Sequence, residues 1–409
     1  MDNTLNTMND SGTPQRWRVL GATFLSYFYD SYDLIILSIA MPVIISFLDI
    51  SLTEGGLLSS FSMIGAMLGS MIMGVIAENK GRKFTLILCL VWFGIATIPV
   101  IFIQNFEAWL ILRLICGIGI GGVWGPCVAL LTHHWKAKYR ARANSFMLST
   151  FAIGGVVAAI LGRFTLSMDW RILFLIGATS IFVAIYVFFA VPDDRKQTDA
   201  KDNETKSESR EKIGLSIIFK GKIAKITICA TLLQVANMGG YWGVNSWVPT
   251  YLKTERGLST ETMANFTIVM YVGMFIGYQV WSFLADKIGR KKVIALCFLF
   301  DAVSVILYLV LPDGILFWWG AVVGFGFGGI FGVQGAFFGE LFPDKFRALA
   351  GGFCFNMGRL GSVLAPFTVG LIGDNFGLKV GLGVTPILFV LGLVAIAFLP
   401  ETLKREDRI

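Results

Sequence analysis

The sequence predicts an all-α polytopic membrane protein whose twelve transmembrane helices form two pseudo-symmetric six-helix bundles, on three observations. Of its 409 residues 55% are hydrophobic and only 15% charged, with mean hydropathy +0.71, whereas about a quarter of a soluble domain is charged. Apolar runs of about 18 residues or more recur along nearly the whole chain, each long enough to cross a hydrocarbon core as a helix. A glycine-rich segment of the first half returns in register in the second. Helices are required here, because lipid cannot satisfy open backbone polar groups.

Taken in order, the polar start from Met1 to Gln15 carries Asp2 and Asp10 and lacks the basic flank and cleavage site of a removable signal, so Trp17 is expected to open a retained first helix. Spans are expected near 17–48, 56–77, 84–104, 108–131, 144–166 and 171–191, then near 224–252, 263–285, 293–311, 314–338, 350–372 and 380–399. Assigning alternate loops to one side collects 27 of the 34 Lys and Arg there, including Arg16, Arg18 and the clusters around Lys80, Lys136 and Lys287. The positive-inside rule makes that side the cytoplasm and puts both termini there, in a cell inner membrane. Asp193 to Lys212 is charged, Ser-rich and aperiodic, as a solvated linker would be. The expected organisation is an N-terminal bundle over 1–192, a cytoplasmic linker over 193–222 whose Leu215 to Phe219 can lie on the membrane surface, and a C-terminal bundle over 223–409.

The halves repeat. Gly117 to Gly125 aligns without gaps on Gly324 to Gly332, an offset of 207 that also superposes Arg140 on Arg347, Phe146 on Phe353 and Gly154 on Gly361. At an offset of 208, Gly81-Arg82-Lys83 falls on Gly289-Arg290-Lys291, and Ala22-Thr23 on Ala230-Thr231. Two parallel six-helix halves follow, with a site expected at their interface near mid-membrane.

The segment Gly74 to Lys83, with Glu78, Gly81 and Arg82, resembles the signature loop between helices 2 and 3 of the major facilitator superfamily, and Ala285 to Lys291, with Asp286, Gly289 and Arg290, resembles its second copy. The first copy has Glu78 where Asp is usual, and the second has Ser282 where the leading Gly would stand. Arg113 resembles the superfamily's helix-4 motif, and Glu340 to Arg347 its loop after helix 10. The resemblance covers essentially the whole chain and implies secondary transport, with these loops acting at the gates. Physically, the glycines permit tight turns and the basic clusters hold the loops at an anionic inner surface. Asp30-Ser31-Tyr32-Asp33 is similar to the Asp-Gly-x-Asp element of the aromatic-acid branch of metabolite-proton symporters, with Ser31 replacing Gly. That branch implies a small carboxylate as substrate.

Ionisable residues within spans are functional candidates, since an unpaired charge at the bilayer centre costs about 2.5–3.5 kcal/mol on insertion scales. Asp30 and Asp33 share one helix face. Depth counting from the helix rise puts Asp33 and Arg113 at similar levels, where they can pair. One of the two aspartates is expected to carry the coupling proton, with Asp30 preferred because no partner is apparent for it; a purely structural pair between helices 1 and 4 is the alternative. Arg359 is expected close to mid-membrane with no acidic neighbour in the second half's spans, and a substrate carboxylate matches its donor fork. Carbonyls or Asp30 could occupy it instead. Arg163 is expected to snorkel to the headgroups. Tyr29, Tyr32, Asn237, Tyr241, Trp242, Tyr271 and Asn356 lie near the same level and could wall a cavity or simply pack.

Other functions are disfavoured. The glycines from Gly117 to Gly122 follow no strand and are membrane-embedded, so they are no dinucleotide loop. His133-His134 has no third ligand nearby, so no metal site is expected, and no nucleophile-base constellation points to an enzyme. The six cysteines read as buried small hydrophobes. The net charge of +7 sits in short loops and does not indicate nucleic acid. The expected protein is a monomer with no cofactor, working with a carboxylate, protons and the bilayer. A drug-proton antiporter, a sugar or polyol porter suggested by Pro400-Glu401-Thr402, and a non-transporting sensor are the alternatives.

Overall fold

A computed structural model describes residues 13–135, 137–193, 215–343 and 346–403. Twelve helical spans run in order: α1 (Thr13–Leu48), α2 (Leu52–Lys80), α3 (Arg82–Ile101), α4 (Phe106–His134), α5 (Ala137–Thr165), α6 (Arg171–Ala190), α7 (Gly221–Thr254), α8 (Thr260–Ile288), α9 (Arg290–Val310), α10 (Asp313–Leu341), α11 (Arg347–Phe376) and α12 (Leu378–Ala397). No strand occurs among the described residues. Eleven of these helices are both long and apolar enough to cross a membrane. The other, α11, has the length, at 30 residues, but carries Arg359, Asn356 and Asp374. Of the expected linker, 194–214 lie outside the described residues, whereas Leu215–Phe219 forms a short 3-10 helix.

Most helices overrun the expected spans by a few residues at one or both ends, because a helix continues past the hydrocarbon wherever its terminal groups are capped. Asn105 opens α4 by accepting from Ala108 N at 2.9 Å, and Ser259 opens α8 by accepting from Thr262 N at 3.1 Å. Gly81 and Gly289, at φ 88 and 113, make the two tight α2–α3 and α8–α9 turns, in a backbone region that a Cβ would strain. Three spans leave the α-helix within their length: α3 ends as a 3-10 helix over Ile98–Ile101. α4 changes to a 3-10 turn at Gly122 and Val123, and α6 breaks at Thr179.

The repeat persists in the packing. A Cβ on Gly117 would stand 2.2 Å from Ser62 O and one on Gly65 2.2 Å from Leu114 O; the equivalents Gly324 and Gly273 meet Met270 O at 1.8 Å and Ala321 O at 2.0 Å. Helix pairs α2–α4 and α8–α10 therefore touch backbone to backbone along glycine seams, the packing that lipid-embedded helices favour when no hydrophobic drive separates them from solvent. Even side-chain bonds repeat: Arg140 Nε donates to Trp135 O at 2.8 Å, and Arg347 Nε to Phe342 O at 3.3 Å. Large apolar side chains such as Phe102, Phe182, Phe189, Trp318 and Phe376 are exposed, as a lipid-facing surface requires. All six cysteines are free, and all but the half-buried Cys229 are buried.

By contacts the chain divides into two compact units. One gathers Met1–Ile35, Phe61–Gly154 and Asp169–Glu211; the other gathers Ile36–Ser60, Gly155–Met168 and Lys212–Ile409. The second unit thus contains the ends of α1, α2 and α5 remote from the N-terminus, packed with α7, α8 and α11. There Gly56 lies on the Pro366 backbone, Ser60 Oγ donates to Val363 O, and Tyr271 stacks on Gly155. Asp374 accepts from Leu52 N at 2.9 Å, Thr53 N at 2.8 Å and the Thr53 hydroxyl at 2.5 Å, capping the start of α2. Burial pushes this carboxyl up, but those bonds outweigh it and hold it below the ordinary carboxylate range. Arg163, expected to reach headgroup level, forms an exposed ion pair with Glu261 of α8.

Candidate functional site

In the first unit the polar centre is built on Asp33. Its carboxylate and the Arg113 guanidinium are both fully buried, with Arg113 Nη2 donating to Asp33 Oδ2 at 3.2 Å. Arg113 Nε donates to Ser62 Oγ at 3.0 Å, the Thr97 hydroxyl lies 3.2 Å from Asp33 Oδ1, and Cys116 Sγ lies 3.5 Å from Oδ2. One node therefore ties α1, α2, α3 and α4. Two charges removed from water each cost several kcal/mol, and this pairing with its added hydrogen bonds is what offsets that cost. Arg113 Nη1 has no hydrogen-bond partner among the described residues, so the guanidinium keeps both donors of that nitrogen unspent. Ser62, Thr97 and Cys116 were not singled out from the sequence; small polar residues inside apolar runs were the available signal.

Asp30, three residues before Asp33, is 6% exposed. It lies near the Cys89 and Cys127 thiols and acts on both electrostatically, so it is not isolated in the way its lack of an apparent sequence partner suggested. Tyr29 and Tyr32 face α6: Tyr29 OH is 2.7 Å from Thr179 Oγ1, at the break in that helix, and Tyr32 OH donates to Leu173 O at 3.1 Å. Their hydroxyls are thus spent within the unit, which leaves their rings as what they can offer to a ligand.

In the second unit a polar stripe runs along α7. Gln234, Asn237, Tyr241 and Asn245 recur at helical spacing and are all at most 2% exposed. Asn237 Nδ2 donates to Gln334 Oε1 at 3.3 Å, and Tyr271 OH donates to Asn245 Oδ1 at 2.7 Å, with the Tyr241 hydroxyl set against that of Tyr271. Trp242, Phe327 and Phe331 pack edge-on around the Tyr241 ring. The donors Gln234 Nε2 and Asn245 Nδ2 have no partner among the described residues. Arg359 is half-buried on α11 with its guanidinium 5.6 Å from the Phe355 ring, and Asn356 Nδ2 returns to Gly352 O at 3.0 Å. The expectation that the second half's spans hold no acid is wrong, because Asp301 lies within α9 and is fully buried.

This arrangement of helices, paired buried charges and duplicated loops is matched by a family model. The model of the Major Facilitator Superfamily matches residues 23–277 and again 231–408. The chain belongs to the Major Facilitator Superfamily. It is 28% identical to the cis,cis-muconate transport protein of Acinetobacter baylyi, over 92% of this chain and 93% of that protein. It is 26% identical to the benzoate transport protein of the same organism, over 90% and 86%. Its fold is shared with the crystal structure of a D-xylose-proton symporter, at TM-score 0.79 and 18% identity, covering 95% of this chain and 99% of that one. The chain is therefore a multi-pass membrane transporter and not an enzyme, from a group whose members carry organic acids.

The superfamily's loop motifs are built as networks. Arg290 forms an ion pair with Asp286 one turn earlier and reaches Glu340 of α10 at 3.3 Å, while Glu340 also accepts from Thr402 Oγ1 at 2.7 Å. Burial opposes the Arg290 charge, yet Glu340 and Asp286 outweigh it and hold the guanidinium above its ordinary range. Glu401 accepts from Lys291 N at 3.3 Å and fills the space beside Gly289. In the first copy Arg82 Nη1 reaches Ala129 O at 3.4 Å, and Gly74 has open space where a Cβ would stand. No three-residue metal cluster occurs among the described residues.

Proposed function

We propose that this transporter is a proton-coupled symporter of a small organic anion, working by alternating access of the halves 1–192 and 223–409 in an inner membrane with both termini cytoplasmic. The observation that carries the reading is the fully buried Asp33–Arg113 pair with its unspent Nη1 donors. A carboxyl proton on Asp33 or Asp30 would free positive charge on Arg113, and Arg359 would supply the fork that a substrate carboxylate needs. Asn237, Tyr241, Tyr271 and Asn356 would add polar contacts, with the rings of Tyr29 and Tyr32 as apolar wall. Relatives named for muconate and benzoate support a carboxylate as the cargo. The duplicated loops, with Glu78, Asp286, Glu340 and Arg347, would act as gates.

The test is uptake into proteoliposomes under an imposed pH gradient, against a panel of cis,cis-muconate, benzoate, lactate and sialate. Accumulation of at least one acid is expected, and Arg359→Ala should abolish its binding. Extrusion of a cationic dye with no movement of any acid would replace the reading with a drug-proton antiporter.

A further inference from the structure

The α9 carboxyl has no task in that reading. Asp301 lies about 16 Å along α9 from Arg290, so it sits in mid-span. It is fully buried, and neither of its oxygens has a hydrogen-bond partner among the described residues. A Cβ on Gly326 of α10 would come within 1.9 Å of Asp301 Oδ1, so the carboxyl occupies the space that this glycine leaves open. Phe300, Phe325 and Trp281 form an aromatic cluster beside it.

The repeat shows what this position needs for packing. The 208 offset places Asp301 on Phe93 and Cys297 on Cys89, while the 207 offset places Gly326 on Gly119 and Gly329 on Gly122. The contacts obey the same equivalence. In the first half Gly119 is set against Phe93 and Gly122 against Cys89 Sγ; in the second Gly326 is set against Asp301 and Gly329 against Cys297 Sγ. In the first half the Cβ and backbone N of Phe93 and the Trp92 ring therefore border the glycine, whereas in the second a carboxyl reaches it. The acid is not required by the packing, and an ionised carboxylate without a counter-charge is strongly disfavoured there.

The surroundings offer no counter-charge among the described residues. Among the described residues, the titratable group coupled to Asp301 is the Cys297 thiol, one turn earlier. On α8, α10 and α12 the charged residues Glu261, Asp286, Lys287, Asp313, Glu340 and Lys379 all fall in the terminal turns. The mid-span Tyr271 and Tyr278 of α8 have no charge interaction with it. A metal ion such as Ca²⁺ would need six or more oxygens in place of this single close-packed carboxyl. The ligand that removes the charge without needing space is a proton. We propose that Asp301 is a second proton-binding site, in the C-terminal half, that loads and empties during the transport cycle. This inference rests on the proton-coupled reading above.

Two measurements on the purified full chain test it. Infrared spectra at neutral pH should contain a protonated-carboxyl C=O component that disappears in Asp301→Asn and survives in Asp30→Asn and Asp33→Asn. In proteoliposomes, opposing a substrate gradient with a pH gradient gives the number of protons moved per carboxylate, using the panel acid that the wild type exchanges. Asp301→Asn should move one proton fewer, so that accumulation at a one-unit pH gradient falls about tenfold. Asp301→Phe, which restores the residue of the first half, should do the same and serves if the Asn variant does not fold. An infrared component unchanged by the substitution overturns the site. A lost component with unchanged stoichiometry overturns the loading and emptying, because the proton is then held permanently. A wild type that moves acid with no proton sinks the symport reading itself, which separates that failure from this one.

Discussion

At the scale of single residues, the Asp33–Arg113 pair sets the stakes for any substitution in the first half. Both side chains are at 0% exposure in this structure, so removing one partner leaves the other as a buried charge without its counter-ion. Arg113→Ala should therefore destabilise the protein by about 3–5 kcal/mol, as for other broken buried pairs. The double variant Arg113→Met, Asp33→Asn removes both charges and should recover much of that loss. Thermal unfolding of the purified protein checks the pair, and a double variant as unstable as Arg113→Ala would mean that shape rather than charge holds this node. Sequence made the pairing legible, since two opposite charges at similar depth in apolar helices have few other ways to be tolerated. It did not make the hydroxyl geometry legible. Whether Tyr29 and Tyr32 turn toward α6 or toward a ligand depends on helix rotation, which hydropathy does not encode. Asp301 is a single acidic letter in an apolar run, and only its contact with Gly326 gives it meaning.

At the scale of helices, the seams matter more than the spans. Hydropathy located all twelve helices, but the offsets between the halves showed which glycines are equivalent, and the contacts show why glycine is there. Gly117→Ala and Gly324→Ala would each drive a methyl into a backbone carbonyl, at 2.2 and 1.8 Å. Relief requires the helices to part, at an overpacking cost of about 1–3 kcal/mol. Gly335 lies in the same α10 helix with nothing within 4 Å of where an added methyl would stand, so Gly335→Ala should leave the melting temperature unchanged or raise it, by up to about 1 kcal/mol of helix propensity. Opposite signs for Gly324→Ala and Gly335→Ala are the expected result of parallel thermal melts. Equal effects would assign the glycines to helix flexibility instead of close approach. The breaks at Gly122 and Thr179 were not legible, because hydropathy does not show what other helices bring there: Met73 and Cys89 crowd Gly122, and the Tyr29 hydroxyl meets Thr179.

At the scale of the whole molecule, the second unit binds the remote ends of α1, α2 and α5 to the C-terminal helices through several unlike contacts. Asp374 caps α2, Arg163 pairs with Glu261, and Gly56 lies on the Pro366 backbone. None of these was predicted, because each joins residues from opposite halves of the sequence and depends on which conformation the chain adopts. The Asp374 contacts and the exposed Arg163–Glu261 pair are replaceable by water, whose hydrogen bonds come at little net difference in free energy, so these contacts can break and re-form in a cycle. If transport requires that, a covalent tie across α5 and α8 must stop it. With the native cysteines replaced, Arg163→Cys and Glu261→Cys joined by a short bifunctional maleimide should lose both net uptake and counterflow in proteoliposomes. The same double variant left unreacted should retain both, since a surface ion pair contributes at most about 1 kcal/mol. Counterflow that continues at the unreacted rate after complete cross-linking would mean that the site still reaches both faces, and that the Arg163–Glu261 contact does not have to break during the cycle.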